Sequence, residues 1–137
     1  MTRIKYSADI MQYISIFESF TNAKVRDCIV DDNVLFVIEE NDMGKAIGKH
    51  GSNIRKMEEL IKKSIRLVEF SNNPAQFVQN LIYPTQVKDI REENKVLSIY
   101  CHDAKSKGRI FGRERQNLQK INDIVKRYFD VEEVKVV

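Results

Sequence analysis

The run Gly48-Lys49-His50-Gly51, set between Ile47 and Ser52-Asn53-Ile54, is the part of this chain best suited to chemistry. Glycines let a chain turn sharply and let its backbone come close to a ligand. A helical pattern opens at Ser52, and the unpaired N–H groups at a helix start attract anions. Lys45, Lys49 and Arg55 surround them with positive charge. The chemistry on offer is non-covalent. Backbone N–H groups of residues 48–53 are expected to face phosphates. Ile47 and Ile54 serve as apolar walls or as core, and His50 as a contact or as an exposed loop tip.

The same pattern occurs a second time. Gly44 to Met57 aligns with Gly108 to Ile121 at a constant offset. Gly44/Gly108, Gly48/Gly112, Asn53/Asn117 and Lys56/Lys120 are identical, and Lys45/Arg109, Ile47/Phe111 and Lys49/Arg113 keep their character. Val34–Ile38 matches Val96–Tyr100 as well. The copies differ at one place, where the first has Gly51 and the second Arg115. Arginine adopts the left-handed region poorly. The Gly112-Arg113-Glu114-Arg115 loop is therefore expected to form a tighter helical turn or a rearranged clamp. In it, Arg113 and Arg115 would replace close backbone approach with side-chain contacts to phosphate.

The elements that position these loops repeat too. Ile10, Ile14, Phe17 and Phe20/Thr21 predict an amphipathic helix over 7–21. Val25–Val30 and Val34–Glu39 read as a hairpin around Asp31-Asp32-Asn33. A short helix over 43–47 leads into the loop, a longer one covers 52–63, and Ile65–Phe70 closes the unit. In the second half, Asn73 suits an N-cap, Pro74 the first helical position and Gln76 a capping box. Pro84 stops that helix near Ile82. Strands over 85–92 and 95–102, with a turn at Glu92-Glu93-Asn94, precede a short helix over 104–111, a helix over 115–128 and a strand over Val131–Val136. Each half is helix, two strands, two helices, strand. The units are expected at 1–71 and 72–137.

At 42% hydrophobic and 31% charged, the chain has the composition of a folded domain, not of a disordered one. No apolar run is long enough to span a bilayer, so no membrane association is expected. Met1-Thr2-Arg3-Ile4-Lys5 does not read as a signal peptide, and a cytoplasmic location follows as the default. Cys28 and Cys101 lie in strand-like runs and read as small buried apolar residues. Two cysteines and two histidines without C-x-x-C spacing do not assemble a metal site, and no cofactor is expected. The net charge of +3 hides a strong segregation. Residues 43–66 carry seven basic groups against Glu58 and Glu59, and residues 105–127 carry eight against Glu114 and Asp123. The rest of the chain is acidic. Cations gathered on two loop-helix segments are the footprint of a polyanionic partner. Lys62, Lys63 and Lys126 read as a solvated helix face.

The α-β-β-α-α-β order around a G-x-x-G loop resembles the type II KH module, which clamps about four nucleotides of a single strand. Two such modules with little else resemble the archaeal NusA-like transcription factors over essentially the whole chain. The resemblance implies an α+β fold of two tandem type II KH domains. It implies binding of nascent single-stranded RNA in termination, antitermination or pausing, with RNA polymerase as a further partner and a monomeric state. The implied RNA-binding residues are Lys45, Ile47, Gly48, Lys49, His50, Gly51, Ser52, Asn53 and Arg55, then Arg109, Gly112, Arg113 and Arg115. The bacterial relatives carry a polymerase-binding domain and an S1 domain that do not fit this length.

Two other classes fit the same residues: a KH-type component of the ribosome or of RNA processing, and a protein-binding scaffold. An enzyme is not expected, because no D-x-D or H-x-E pair sits beside the loops and Glu58 and Glu59 fall on a solvated helix side. The linker Ser71-Asn72-Asn73 is so short that the modules are expected to pack as one rigid unit. Inserting a flexible Gly/Ser stretch there should therefore weaken binding of a long RNA more than of a short one, by lowering effective concentration. Titrations with both lengths check this.

Overall fold

The computed structural model describes residues 8–137, so Ser7 of the expected first helix lies outside the described residues. The described residues form two compact units, divided between Ser71 and Asn72.

The first unit opens with α1 (Ala8–Thr21), whose Phe17 and Thr21 are buried. Thr21 ends the helix by donating its hydroxyl to the Phe17 carbonyl at 2.7 Å and accepting the Ala23 N–H at 3.1 Å. β1 (Val25–Val30) and β2 (Val34–Ile38) form the antiparallel hairpin. Then come α2 (Met43–Ile47), a 3-10 turn (Lys49–Gly51), α3 (Ser52–Ile61) and β3 (Ile65–Glu69). β3 pairs parallel with β2, from Val34↔Ile65 to Ile38↔Glu69, so the sheet order is β1-β2-β3. All five residues of β2 are buried. Phe17 stacks on Phe36 with ring centroids 4.7 Å apart, at the centre of a core with Cys28, Ile38, Ala46 and Met57. α3 stops two residues before the expected 63. Lys62 adopts φ 57° there and donates its N–H to the Glu58 carbonyl at 2.8 Å.

The second unit has the same element order: α4 (Pro74–Ile82), β4 (Asp89–Glu93), β5 (Val96–Tyr100), α5 (Ala104–Phe111), a 3-10 turn (Arg113–Arg115), α6 (Gln116–Tyr128) and β6 (Glu133–Val136). Its sheet is β4-β5-β6, antiparallel then parallel. Asn73 caps α4 as expected, its side chain accepting the Gln76 N–H at 3.2 Å. The Gln76 carboxamide donates onward to Asn80. Asp103 caps α5 by accepting the Ser106 N–H at 2.8 Å. That bond holds the Asp103 carboxyl below its usual range. The cap is therefore in force at neutral pH and is lost only as acid protonates it.

The strands of the second unit are shorter than expected or shifted: β5 ends at Tyr100 and not at 102, and β6 begins at Glu133 and not at Val131. The strand expected over 85–92 begins at Asp89, because its partner β5 ends at Tyr100, opposite Asp89, and leaves only Lys88 a bond to the Tyr100 carbonyl. The hairpin turn falls at Asn94-Lys95 instead of Glu92-Glu93-Asn94. Both residues have positive φ, 51° and 64°, as a two-residue hairpin turn with the sheet's twist requires. Cys28 is buried, whereas Cys101 is only half-buried, and both are free thiols. Burial still pushes the Cys101 thiol up, which keeps it protonated and poorly nucleophilic at neutral pH.

The stacked ring pair makes Phe17 the residue on which the first core most depends. Phe17→Ala should cost about 3–5 kcal/mol, and Asn73→Ala about 1 kcal/mol for a lost cap. Urea denaturation of both variants measures the difference.

Candidate nucleic-acid interface

α2 and α3 meet through a turn with little freedom. Gly48 sits at φ 74°, ψ 175°, a region only glycine populates comfortably. A Cβ there would lie 2.8 Å from Asn53 Cγ and 2.9 Å from Ser52 Oγ. His50 and Gly51 then both take left-handed backbone, at φ 54° and 74°. The Asn53 carboxamide locks the turn by donating to the Lys45 carbonyl at 2.8 Å. Arg55 donates to the His50 carbonyl from the other side. At Gly51 the space is open, apart from the Arg55 guanidinium 3.4 Å from an added Cβ.

This geometry sorts the expected site residues. Lys45, Lys49, His50, Ser52 and Arg55 are exposed around the turn, and Ile47, Gly48 and Ile54 are half-buried. Lys45 pairs loosely with Asp42 at 3.8 Å. Asn53 and Arg55 hold the loop together as well as standing beside it. The expectation that the amides of 48–53 all face a ligand needs correction. The Gly48 N–H bonds the Gly44 carbonyl, that of Gly51 bonds Gly48, and that of Ser52 bonds Lys49. Closing two tight turns in succession consumes these three. No side chain caps α3 from Gly51.

The second loop is neither tightened nor rearranged. Gly112 has φ 69°, ψ 178°, Glu114 φ 53°, ψ 30°, and Arg115 φ 62°, ψ 16°, against φ 74°, ψ 18° for Gly51. Asn117 donates to the Arg109 and Ile110 carbonyls, as Asn53 does to Lys45. An arginine in left-handed backbone costs about 1–2 kcal/mol, and the rest of the turn enforces it. Arg109, Arg113 and Arg115 are exposed around this turn. Among the described residues, no group of three His, Cys, Asp or Glu is placed to hold a metal, and no helix is long and apolar enough to cross a membrane.

Sequence reasoning noted that Gly44 and Gly108 are identical in the repeat but gave neither a role. Neither has an unusual φ, and an added Cβ would meet nothing within 4 Å. A glycine inside a helix costs about 1 kcal/mol relative to alanine, yet both copies have one beside the turn, and it leaves bare backbone there. Their identity in the repeat was the available signal. Glu58 was also misjudged: it accepts the Ile65 N–H at 2.9 Å and does not merely face solvent.

A KH domain model matches residues 11–79, from α1 into α4. The chain is 33% identical over 139 residues to the "Probable transcription termination protein NusA" of Methanococcus vannielii, covering 98% of this chain and 80% of that one. It belongs to the archaeal NusA-like family of KH-domain proteins. It is 31% identical to the protein so named in Halobacterium salinarum, over 97% and 98% of the two chains. The one so named in Methanocaldococcus jannaschii is 29% identical over 100% and 77%. The crystal structure of APE1850 superposes with a TM-score of 0.75 at 28% identity, covering 96% of this chain and 100% of that chain.

The two glycines of the NusA-like loop differ in what they are for, and substitution separates them. Gly48→Ala should lose about 1–3 kcal/mol or more, through strained backbone and the clash with Asn53. Gly51→Ala should lose only about 1–2 kcal/mol. Thermal denaturation of the pair gives the ranking, and equal losses would contradict it.

Proposed function

We propose that this chain is a single-stranded RNA-binding transcription factor acting on nascent RNA in termination, antitermination or pausing. The observation that carries this reading is the Gly48–Gly51 turn. It exposes Lys45, Lys49 and His50 beside an uncapped start of α3, with no acidic residue in that helix's first turn. The KH match and the names of the relatives support it. In this reading the RNA backbone lies along the turn and its bases face the groove between the loop, α3 and the edge strand β3. Lys45, Lys49 and Arg55 neutralise phosphates. The second unit is a second KH domain of the same kind, with Arg109, Arg113 and Arg115 in the corresponding places. The protein binds and performs no chemistry. It works in the cytoplasm as a monomer, and RNA polymerase is its further partner.

Single-stranded RNA should bind more tightly than duplex DNA, because such a groove needs unstacked bases. Affinity should fall with salt as released counterions lose their entropic advantage. Gly51→Asp should leave the protein folded, since Arg115 shows that the turn accepts a side chain at the matching place. It should still sharply reduce RNA binding, by placing a carboxylate where phosphate approaches. Titrations with circular dichroism as a folding control decide, and a folded Gly51→Asp protein with undiminished affinity would sink the reading. Pausing and termination by an archaeal polymerase, assayed with and without that substitution, test the role in transcription.

A further inference from the structure

The second unit contains a groove of about 610 Å³ between α6 and β6, lined among others by Phe111, Arg115, Leu118, Asn122, Lys126 and Val134. β6 is the edge of its sheet. A nucleobase entering such a groove has two attachments to use. One is the unpaired side of the edge strand, whose N–H and C=O match the polar edge of a base. The other is an apolar or aromatic face on which to stack.

Both are already occupied by side chains of the same unit. Asn122 Oδ1 accepts the Val134 N–H at 2.8 Å, and its Nδ2 donates to the Val134 carbonyl at 2.9 Å. The carboxamide thus offers the strand one acceptor and one donor side by side, as a base edge would. A further bond from Nδ2 to the Leu118 carbonyl at 3.0 Å ties the side chain to its own helix. Arg115 places its guanidinium 5.2 Å from the centre of the Phe111 ring, within cation–π range.

The first unit lacks both devices. In the repeat, Asn122 aligns with Glu58 and Arg115 with Gly51. A carboxylate only accepts, so Glu58 takes the Ile65 N–H and cannot bridge both groups of one residue. Leu67, two residues along β3, turns its backbone the same way. Gly51 has no side chain to lay over Ile47.

Resting on the RNA reading above, we propose that the second unit holds the sugar-phosphate backbone of a single strand without reading its bases. Asn122 and Arg115 are the residues that keep bases out. Arg109, Arg113 and Lys126 supply the charge, and sequence is read by the first unit.

The test uses the full chain with Gly51→Asp to silence the first loop. Its ligands are short homopolymeric RNA strands of A, C, U or G and an abasic strand of equal length. The Gly51→Asp protein should bind all five within about twofold, since an edge contact to a base gives roughly fivefold or more in discrimination. Adding Asn122→Ala and Arg115→Gly should introduce preferences of that size. Strong base preference in the Gly51→Asp protein overturns the proposal, as does complete loss of its binding. A folded triple variant that gains no preference also overturns it. If the triple variant does not fold, the Val134 amide in the wild-type protein decides by NMR. It should hold its position on RNA addition while the Arg113 amide moves, and a shift to a new saturating position overturns the proposal. A wild-type protein that binds none of the strands instead removes the RNA reading itself.

Discussion

No side chain fits at Gly48. The backbone there lies in a region closed to other residues, and Asn53 packs against the place a Cβ would occupy. Gly112 repeats the constraint, with an added Cβ only 2.5 Å from Asn117 Cβ. This packing fixes the direction in which each longer helix leaves its short one. From that direction follow the exposure of the loop cations and the position of the groove beside the edge strand. The first glycine of the loop therefore belongs to the fold. The last does not, because the matching position holds an arginine in the same backbone conformation. What a glycine adds at Gly51 is bare backbone, with only the Arg55 guanidinium near the place of a Cβ.

Most of this was legible from spacing. The apolar stripe of α1, the hairpin around Asp31-Asp32-Asn33, the short α2 and the Asn73-Pro74 start of α4 all lie where periodicity and caps place them. The misses have local causes. Strand propensity in Thr85–Val87 had no partner strand opposite it, and Lys88 makes only one bond, to the Tyr100 carbonyl. The Asn94-Lys95 turn competed with an equally polar Glu92-Glu93, and only the register of β4 with β5 decides between them. The conformation of Arg115 was misread because a residue preference of about 1–2 kcal/mol is weaker than a turn held by Gly112 and Asn117. Asn122 was invisible for another reason. It reads as one more polar residue on a helix face, and its partner Val134 lies twelve residues on in a different element.

Charge placement follows the same division between what folds and what binds. Of Lys45, Lys49, Arg109, Arg113 and Arg115, only Lys45 joins an ion pair among the described residues, and at 3.8 Å that pair is loose. The closer pairs, Arg26 with Glu39, Arg91 with Asp89 and Lys95 with Asp130, lie on strands and connections away from the turns. Surface pairs of this kind contribute about 0–1 kcal/mol, so leaving the loop cations unpaired costs stability little. It leaves their charge available to an incoming anion.

The replacement of Gly51 by Arg115 can then be weighed. Left-handed arginine costs about 1–2 kcal/mol over glycine. A cation over an aromatic ring returns about 0.5–1 kcal/mol at an exposed site. Phe111 stands where the first unit has Ile47, so ring and guanidinium are complementary within one turn, and each would be less well placed without the other. The exchange leaves a net cost of about 0–1.5 kcal/mol to the fold, and its effect on the surface is large. It turns bare backbone into a covered ring carrying a positive charge. Two loops with nearly the same dihedral angles thus present different groups at their surface. The difference rests on side chains that the shared backbone merely holds in place.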